Sequence, residues 1–276
     1  MEQMNKKKKS ILTIIAVLIT LIHLIPFYIL ITTALKPNGD FSSKWAFPNT
    51  ISLQNFSDAW EKANLGTALV NTTIITFFAA IILIFIGSAA AYPLARRQSK
   101  LNKYVYMIFI GVMVIPPLTA LVPLYQLVVD IGMMNTHEIA ILNNVASFMP
   151  LTIFLYAGFI KSTIPKELEE AAKIDGASTL GTFYKIVFPL LRPITASVLI
   201  ISCVFIWNDY QFAIFFLQSK EVQTLTVALS GFFGQNASNL NLVAAASIIA
   251  MLPMTVLFLA LQKHFVAGLA SGSVKG

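Results

Sequence analysis

An all-helical fold that crosses a lipid bilayer six times is what this sequence predicts, and three observations carry the prediction. The first is composition. Of the 276 residues 57% are apolar and only 11% charged, whereas a soluble domain carries about 25% charged side chains. The second is the presence of six apolar stretches, each long enough to cross a hydrocarbon layer that needs about 20 helical residues. The third is the placing of basic residues, which alternates from one inter-stretch segment to the next and so fixes a direction of insertion. The lone cysteine, Cys203, forms no internal bridge and so excludes a disulfide scaffold. A formal charge of +7 would point to nucleic acid in a soluble chain; in a membrane chain it reflects lysine and arginine held on one side, and no nucleic-acid partner is expected.

In chain order the expected spans are Ile11 to Leu35, Thr67 to Ala95, Tyr104 to Val129, Ile139 to Ile160, Ile194 to Leu217 and Leu242 to Leu261. Lys6 to Lys9 precede the first, as in a signal peptide, but the apolar run that follows exceeds a signal core and lacks a convincing cleavage site, so it is read as a retained anchor. With the amino terminus inside, 15 of the 19 basic residues fall on the cytoplasmic side, and only Lys36, Lys44, Lys62 and Lys220 fall outside. Both termini are then cytoplasmic, in a plasma or inner membrane. Residues 1–10 form a short cytoplasmic segment, 11–262 a single membrane domain and 263–276 a cytoplasmic tail. Pro26, Pro93, Pro116, Pro117, Pro123, Pro150 and Pro253 lie within the spans, and each removes a backbone donor, so kinks are expected. The run Gly87-Ser88-Ala89-Ala90-Ala91 in the second span suits close helix packing.

The segment 161–192, between the fourth and fifth spans, is the one large cytoplasmic loop. Pro165 and the acids after it suit the first turn of a helix, and Gly176 can adopt the left-handed conformation that ends one. Ser178 or Thr179 then caps a second helix, in which Leu180, Phe183, Tyr184 and Val187 recur with helical period until Pro189 ends it. Two short amphipathic helices must cover their apolar faces, either with a soluble partner or by folding back on the membrane domain.

Here the sequence resembles a known family. Glu170-Ala171-Ala172, three residues, Gly176, nine residues and Ile186-Val187-Phe188-Pro189 are similar to the EAA loop of permease subunits in binding-protein-dependent ABC importers, with phenylalanine where the family usually has leucine. The resemblance covers essentially the whole chain. It implies a type I ABC importer permease fold, in which the loop sits in a groove of a cytoplasmic ATPase. Glu170 would be a charged anchor, Ala171, Ala172 and Gly176 a small-residue contact surface, and Asp175, Ile186 and Pro189 further parts of the loop. The implied partners are a second six-span permease subunit, two ATPase subunits and an extracytoplasmic binding protein. ATP and Mg would be used by the ATPase, since this chain has no G-x-x-x-x-G-K-[ST] phosphate loop; the chain itself would be non-catalytic and bind no cofactor. Trp207-Asn208-Asp209-Tyr210 and the ending Phe265 to Gly276 resemble the carbohydrate, MalG-like branch, whereas polyamine and sulfate permeases share the loop but not this ending. The tail from Lys263 would lie against the ATPase pair.

Asp209 is the only formally charged residue within the six stretches. With Asn208, Tyr210 and Gln211 it offers the aromatic and hydrogen-bonding mixture a sugar needs. Alternatively it lies at the outer interface holding helix ends together, while Trp207 and Tyr210 join an aromatic belt. Asn71, Thr72, Thr73, Gln126, Asn143 and Asn144 are open to the same two readings, pathway lining or interhelical bonding. The outer loop Thr224 to Asn241, with Gly231, Phe232, Phe233, Gly234 and Gln235, resembles the loop that reaches into a docked binding protein, its glycines allowing a tight excursion; a plain surface loop is the other reading. His23, His137 and His264 show no metal-ligand spacing, so no metal is expected. A self-sufficient proton-coupled carrier using Asp209 and an intramembrane enzyme are the competing classes, but neither internal repeats nor a catalytic constellation is evident.

Overall fold

The computed structural model describes residues 6–37, 39–40, 42–237 and 239–273, with side chains from 8 to 263. The first residues of the N-terminal segment 1–10 and the end of the 263–276 tail lie outside it, as do the tail's side chains beyond Lys263. Every regular element among the described residues is helical. The chain forms two compact units, one of residues 1–66 and 228–251, the other of 67–227 and 252–276.

The first unit contains α1 (Lys6–Leu35) and α2 (Gln54–Lys62), together with parts of α13 (Leu225–Gln235) and α14 (Leu240–Ser273). Helix α1 runs unbroken through Pro26. Its side chains are exposed from Lys8 to Phe27, which is the surface a lipid or protein neighbour covers. The C-terminal end of α1 is tied down by polar side chains. Asn55 donates through Nδ2 to the carbonyls of Ala34 and Lys36 at 2.8 and 2.7 Å. Asn241 donates to those of Lys36 and Pro37. The buried Lys36 ammonium donates to Ser42 Oγ and the Ser43 carbonyl. Tyr28 and Thr32 donate to the carbonyls of Trp45 and Lys44. The loop after α1 is thus fastened by capping of its backbone, as an ordered polar segment near lipid must be.

The second unit holds the remaining crossings. The second span runs from α3 (Leu65–Ile82) through a π-helical turn (Leu83–Gly87) into α4 (Ser88–Arg96). The small residues do what their pattern predicts: α4 packs on α7 (His137–Thr163) so closely that a Cβ on Gly87 would lie 2.5 Å from Thr152 Cγ2. The third span is not continuous. α5 (Lys100–Val112) and the stretch from a 3₁₀ turn (Pro117–Ala120) through α6 (Leu121–Asp130) meet at a 93° bend. Tandem prolines explain it, since a proline pushes the preceding residue out of the helical region, and Pro116 is extended at φ −62°, ψ 126°. Pro93, Pro150 and Pro253, by contrast, lie inside continuous helices, so of these prolines only the tandem pair sits at a break in a span.

The fifth span also departs from expectation. Instead of continuing to Leu217, α11 (Arg192–Trp207) stops, the chain turns, and α12 (Ala213–Phe216) follows as a single turn. Among the described residues four helices are long and apolar enough to cross a membrane alone, and the number reaches up to six if each of two bent pairs, Lys100–Val112 with Pro117–Asp130 and Thr179–Leu190 with Arg192–Trp207, forms one span. One core cluster joins Ala91, Ile153, Tyr156, Ile160, Val187 and Val198. A second joins Ile75, Leu83, Val128, Ile206, Phe212 and Phe216, the last two rings stacked at 4.0 Å.

Candidate functional site: the loop between α7 and α11

Helix α7 ends where Ile164 turns extended before Pro165, as a residue preceding proline prefers. Pro165, itself extended, leads into α8 (Lys166–Ile174), with Glu167 and Glu169 in the first turn opposite the positive helix end. The end of α8 is a Schellman closure. Ala177 N–H donates to the Ala172 carbonyl at 2.9 Å and Gly176 N–H to that of Lys173 at 3.0 Å, with Gly176 at φ +81°. No atom lies within 4 Å of where a Gly176 Cβ would point, so conformation, not crowding, selects glycine here. Ser178 then accepts from Gly181 N–H and caps α9 (Thr179–Thr182), which passes through a π-helical turn (Phe183–Val187) into α10 (Phe188–Leu190). Pro189 therefore sits in the first turn of α10 and does not end the second helix; the chain breaks at Leu191, before Arg192, with a 73° bend into α11.

The loop answers both readings of its amphipathicity. Phe183 and Val187 are buried in the core with Tyr92 and Ile153, so one face does fold back on the membrane domain. Leu168, Ile174, Leu180 and Tyr184 stay exposed, Ile174 at 86%. On α8 the division follows helical period: Glu169 and Ala172 point inward three residues apart, while Glu170, Ala171, Asp175 and Gly176 are exposed. Ile186 is half-buried and Pro189 exposed.

The inward face carries the group that sequence reading overlooked. The Glu169 carboxylate accepts from Arg96 Nε at 2.6 Å and from Tyr92 Oη at 2.7 Å, and Arg96 Nη2 donates to the Ile164 carbonyl at 2.7 Å. Side-chain exposure is 10% for Arg96 and 7% for Glu169, so this is a buried, doubly bonded ion pair locking α8 to the end of α4. Arg96 was legible only as one more inside charge. The usable signal was that, of the adjacent acids 169 and 170, only the first shares a helical face with Ala172.

The candidate pathway residues are placed differently. At the end of α11, Asp209 Oδ1 accepts from Phe212 N–H at 3.1 Å, Oδ2 accepts from Asn144 Nδ2 at 3.5 Å, and the Asp209 carbonyl accepts from Thr226 Oγ1 at 2.8 Å. It caps a break in the helix, which favours the helix-end reading. Asn208 donates to the carbonyl of Val204 in its own helix. Tyr210 and Gln211 are exposed. Trp207 is buried, and so does not belong to an aromatic belt. Asn71 donates to the carbonyls of Glu221 and Gln223 and meets His137 Nε2 at 3.0 Å; Thr72 Oγ1 accepts from Leu225 N–H. Both pin the segment after the fifth span, the bonding role. Gln126 is exposed and Asn143 half-buried. The expected contact loop is a helix: Gly231, Phe232, Phe233, Gly234 and Gln235 all lie in α13, neither glycine has positive φ, and Phe232 is buried. A largely apolar run of Leu, Val, Ala and Phe propagates the helix past two glycines that cost only about 1 kcal/mol each.

This architecture, with broken third and fifth crossings and an amphipathic loop locked to the membrane helices, is the permease fold of a type I ABC importer. A chain in the crystal structure of a bacterial ABC transporter involved in the import of the acidic polysaccharide alginate superposes with a TM-score of 0.79 over 96% of this chain and 100% of that one, at 20% sequence identity. The chain belongs to the family of binding-protein-dependent transport system inner membrane components, whose model matches residues 83–271. The melibiose/raffinose/stachyose import permease protein MelC of Bacillus subtilis is 65% identical over the full length of both chains. The multiple sugar-binding transport system permease protein MsmG of Streptococcus mutans is 32% identical over 97% of this chain and 96% of its own.

Proposed function

We propose that this chain is the membrane-spanning subunit of an ATP-driven importer that takes up oligosaccharides of the melibiose, raffinose and stachyose kind. The sugar would arrive on an extracytoplasmic binding protein and cross between this chain and a second six-span permease subunit. Two cytoplasmic ATPase subunits, using ATP and Mg, would drive the cycle; this chain would be non-catalytic and hold no cofactor, with both termini in the cytoplasm. The substrate class rests on the 65% identity to MelC. The coupling assignment rests on one observation: α8 is fixed to α4 through the buried Arg96–Glu169 pair while its opposite face stays uncovered.

A stiff element joined to the transmembrane helices and open on its other side can carry a partner's motion inward, because a locked ion pair moves as a body. Glu170, Ala171, Asp175 and Gly176 would meet the ATPase, with Ile186 and Pro189 shaping the second half of the loop; Ala172 supports α8 from within. On the other side Asn208, Tyr210 and Gln211 are the candidate sugar contacts, with Asp209 positioning them. Gly231, Gly234 and Gln235, which share a helix face, would meet the binding protein, with Phe233 on the far side of the helix. Glu170→Lys in the assembled importer should abolish sugar uptake and release the ATPase in co-purification, leaving the chain in the membrane. Unchanged uptake with an intact complex would overturn the coupling assignment.

A further inference from the structure

Beside the lock on α8 lies a cavity of about 610 Å³ that the coupling reading does not use. Four basic residues outside the lock line it, Arg97 just after α4 and Lys103, Lys161 and Lys166 of α5, α7 and α8, and Arg96 of the lock is a fifth. None of the four is in an ion pair; among the described residues the salt bridges are Lys62 to Asp58 and Arg96 to Glu169. Ser99 and Asn102 add polar groups to the wall. The Asn102 amide donates to the carbonyls of Pro93 and Arg97, which holds the turn between α4 and α5 in shape. Four cations around one space repel one another, and an anion relieves that repulsion.

The apolar surroundings identify the kind of anion. Leu94 and Tyr106 also line the cavity, and Lys161 Nζ lies 4.7 Å from the centre of the Tyr106 ring. From there α5 continues with no buried residue, and Leu101, Tyr104 and Ile108 are each more than half exposed on it. The cavity is therefore a basic pocket continuous with an uncovered apolar helix at the membrane boundary. That pairing complements an amphiphile: a phosphate in the pocket and acyl chains along α5.

We propose that this cavity holds the phosphate of an anionic phospholipid whose chains lie along α5. The inner leaflet follows from the orientation given under Proposed function; occupancy itself does not depend on it. The test is native mass spectrometry of the intact importer in mild detergent, titrated with dioleoylphosphatidylglycerol or dioleoylphosphatidylcholine. The expected result is a retained phosphatidylglycerol adduct that persists in millimolar inorganic phosphate, with phosphatidylcholine bound far more weakly. Lys103→Gln with Lys161→Gln should weaken the phosphatidylglycerol adduct by about tenfold or more, whereas Lys100→Gln, outside the cavity, should not. Equal retention of the two lipids by the unmodified complex overturns the proposal, and needs no variant. Displacement by inorganic phosphate makes it a free-anion site and overturns the lipid source. Cross-links from Lys103 and Lys161 to acidic residues of the ATPase make the cavity a protein seat and likewise overturn it. Loss of the ATPase on Glu170→Lys with the lipid adduct retained would keep the two proposals separate.

Discussion

Glu169 and Glu170 are neighbours in sequence and opposites in environment. The first is buried between Arg96 and Tyr92, the second exposed. Removing one partner of a buried pair leaves the other charge uncompensated, at a cost of about 3–5 kcal/mol. Glu169→Ala should therefore lower the thermal stability of the detergent-purified chain sharply, while Glu170→Ala should leave it nearly unchanged; equal melting temperatures for the two would contradict the lock. Gly176 makes a conformational demand of a different sort. A side chain at φ +81° costs about 1–2 kcal/mol, and since the space around it is open, Gly176→Ala should loosen the turn without a clash. The expected readout is faster protease cleavage between α8 and α9. The acids show how far residue identity carries an argument: two carboxylates are legible in sequence, and the arginine 73 positions away that selects between them is not.

Among the elements, the π-helical turns and the proline break carry most of the geometry. The turn at Leu83–Gly87 delivers Gly87 to Thr152. Because a Cβ there would overlap a branched side chain whose rotamer is stiff, Gly87→Val should separate α4 from α7 and destabilise the chain by about 1–3 kcal/mol, measured as lower detergent melting temperature. Thr152→Ser in the same chain should restore part of the loss. The 93° bend at Pro116-Pro117 was signalled by the tandem prolines, yet the other prolines looked equivalent in sequence and lie in continuous helices. What separates them is whether neighbouring backbone can satisfy the freed groups, a property of packing. Asp209 belongs to this scale too. Because its carboxylate receives the Phe212 N–H, Asp209→Ala should disorder the α11–α12 turn and lower assembly with partner chains, while Tyr210→Ala should leave assembly intact and reduce uptake. The opposite pattern would return Asp209 to the pathway.

For the molecule as a whole, the exposed apolar surface is the dominant fact. α1 presents Ile11, Ile14, Leu18 and Ile22 on open faces, and the loop leaves Ile174 and Leu180 uncovered. The first suits lipid or a protein neighbour. The second is the surface that the proposed ATPase contact would cover. Gentle solubilisation of the tagged chain, followed by mass spectrometry of what co-purifies, should recover an ATPase with a phosphate loop and a second six-span permease. Recovery of the chain alone, under conditions that preserve such complexes, would contradict the subunit reading. With membership in the importer family, the self-sufficient carrier built on Asp209 loses its footing, because the one carboxylate it needed is engaged in holding a helix end.

Composition and local pattern settle the helical class, the six apolar stretches and the grammar of the α8 turn. Each depends on local composition: a bilayer forces backbone groups to pair within a helix, and a glycine at a left-handed position ends one. Tertiary packing settled that Glu169 is the buried acid, that α11 stops at Trp207, and which basic residues gather around one cavity. The first rests on Arg96 and Tyr92, 73 and 77 positions away, and the second on Asn144, 65 positions from Asp209, whose proximity no local pattern encodes, because packing brings together residues that sequence period can only sort by face.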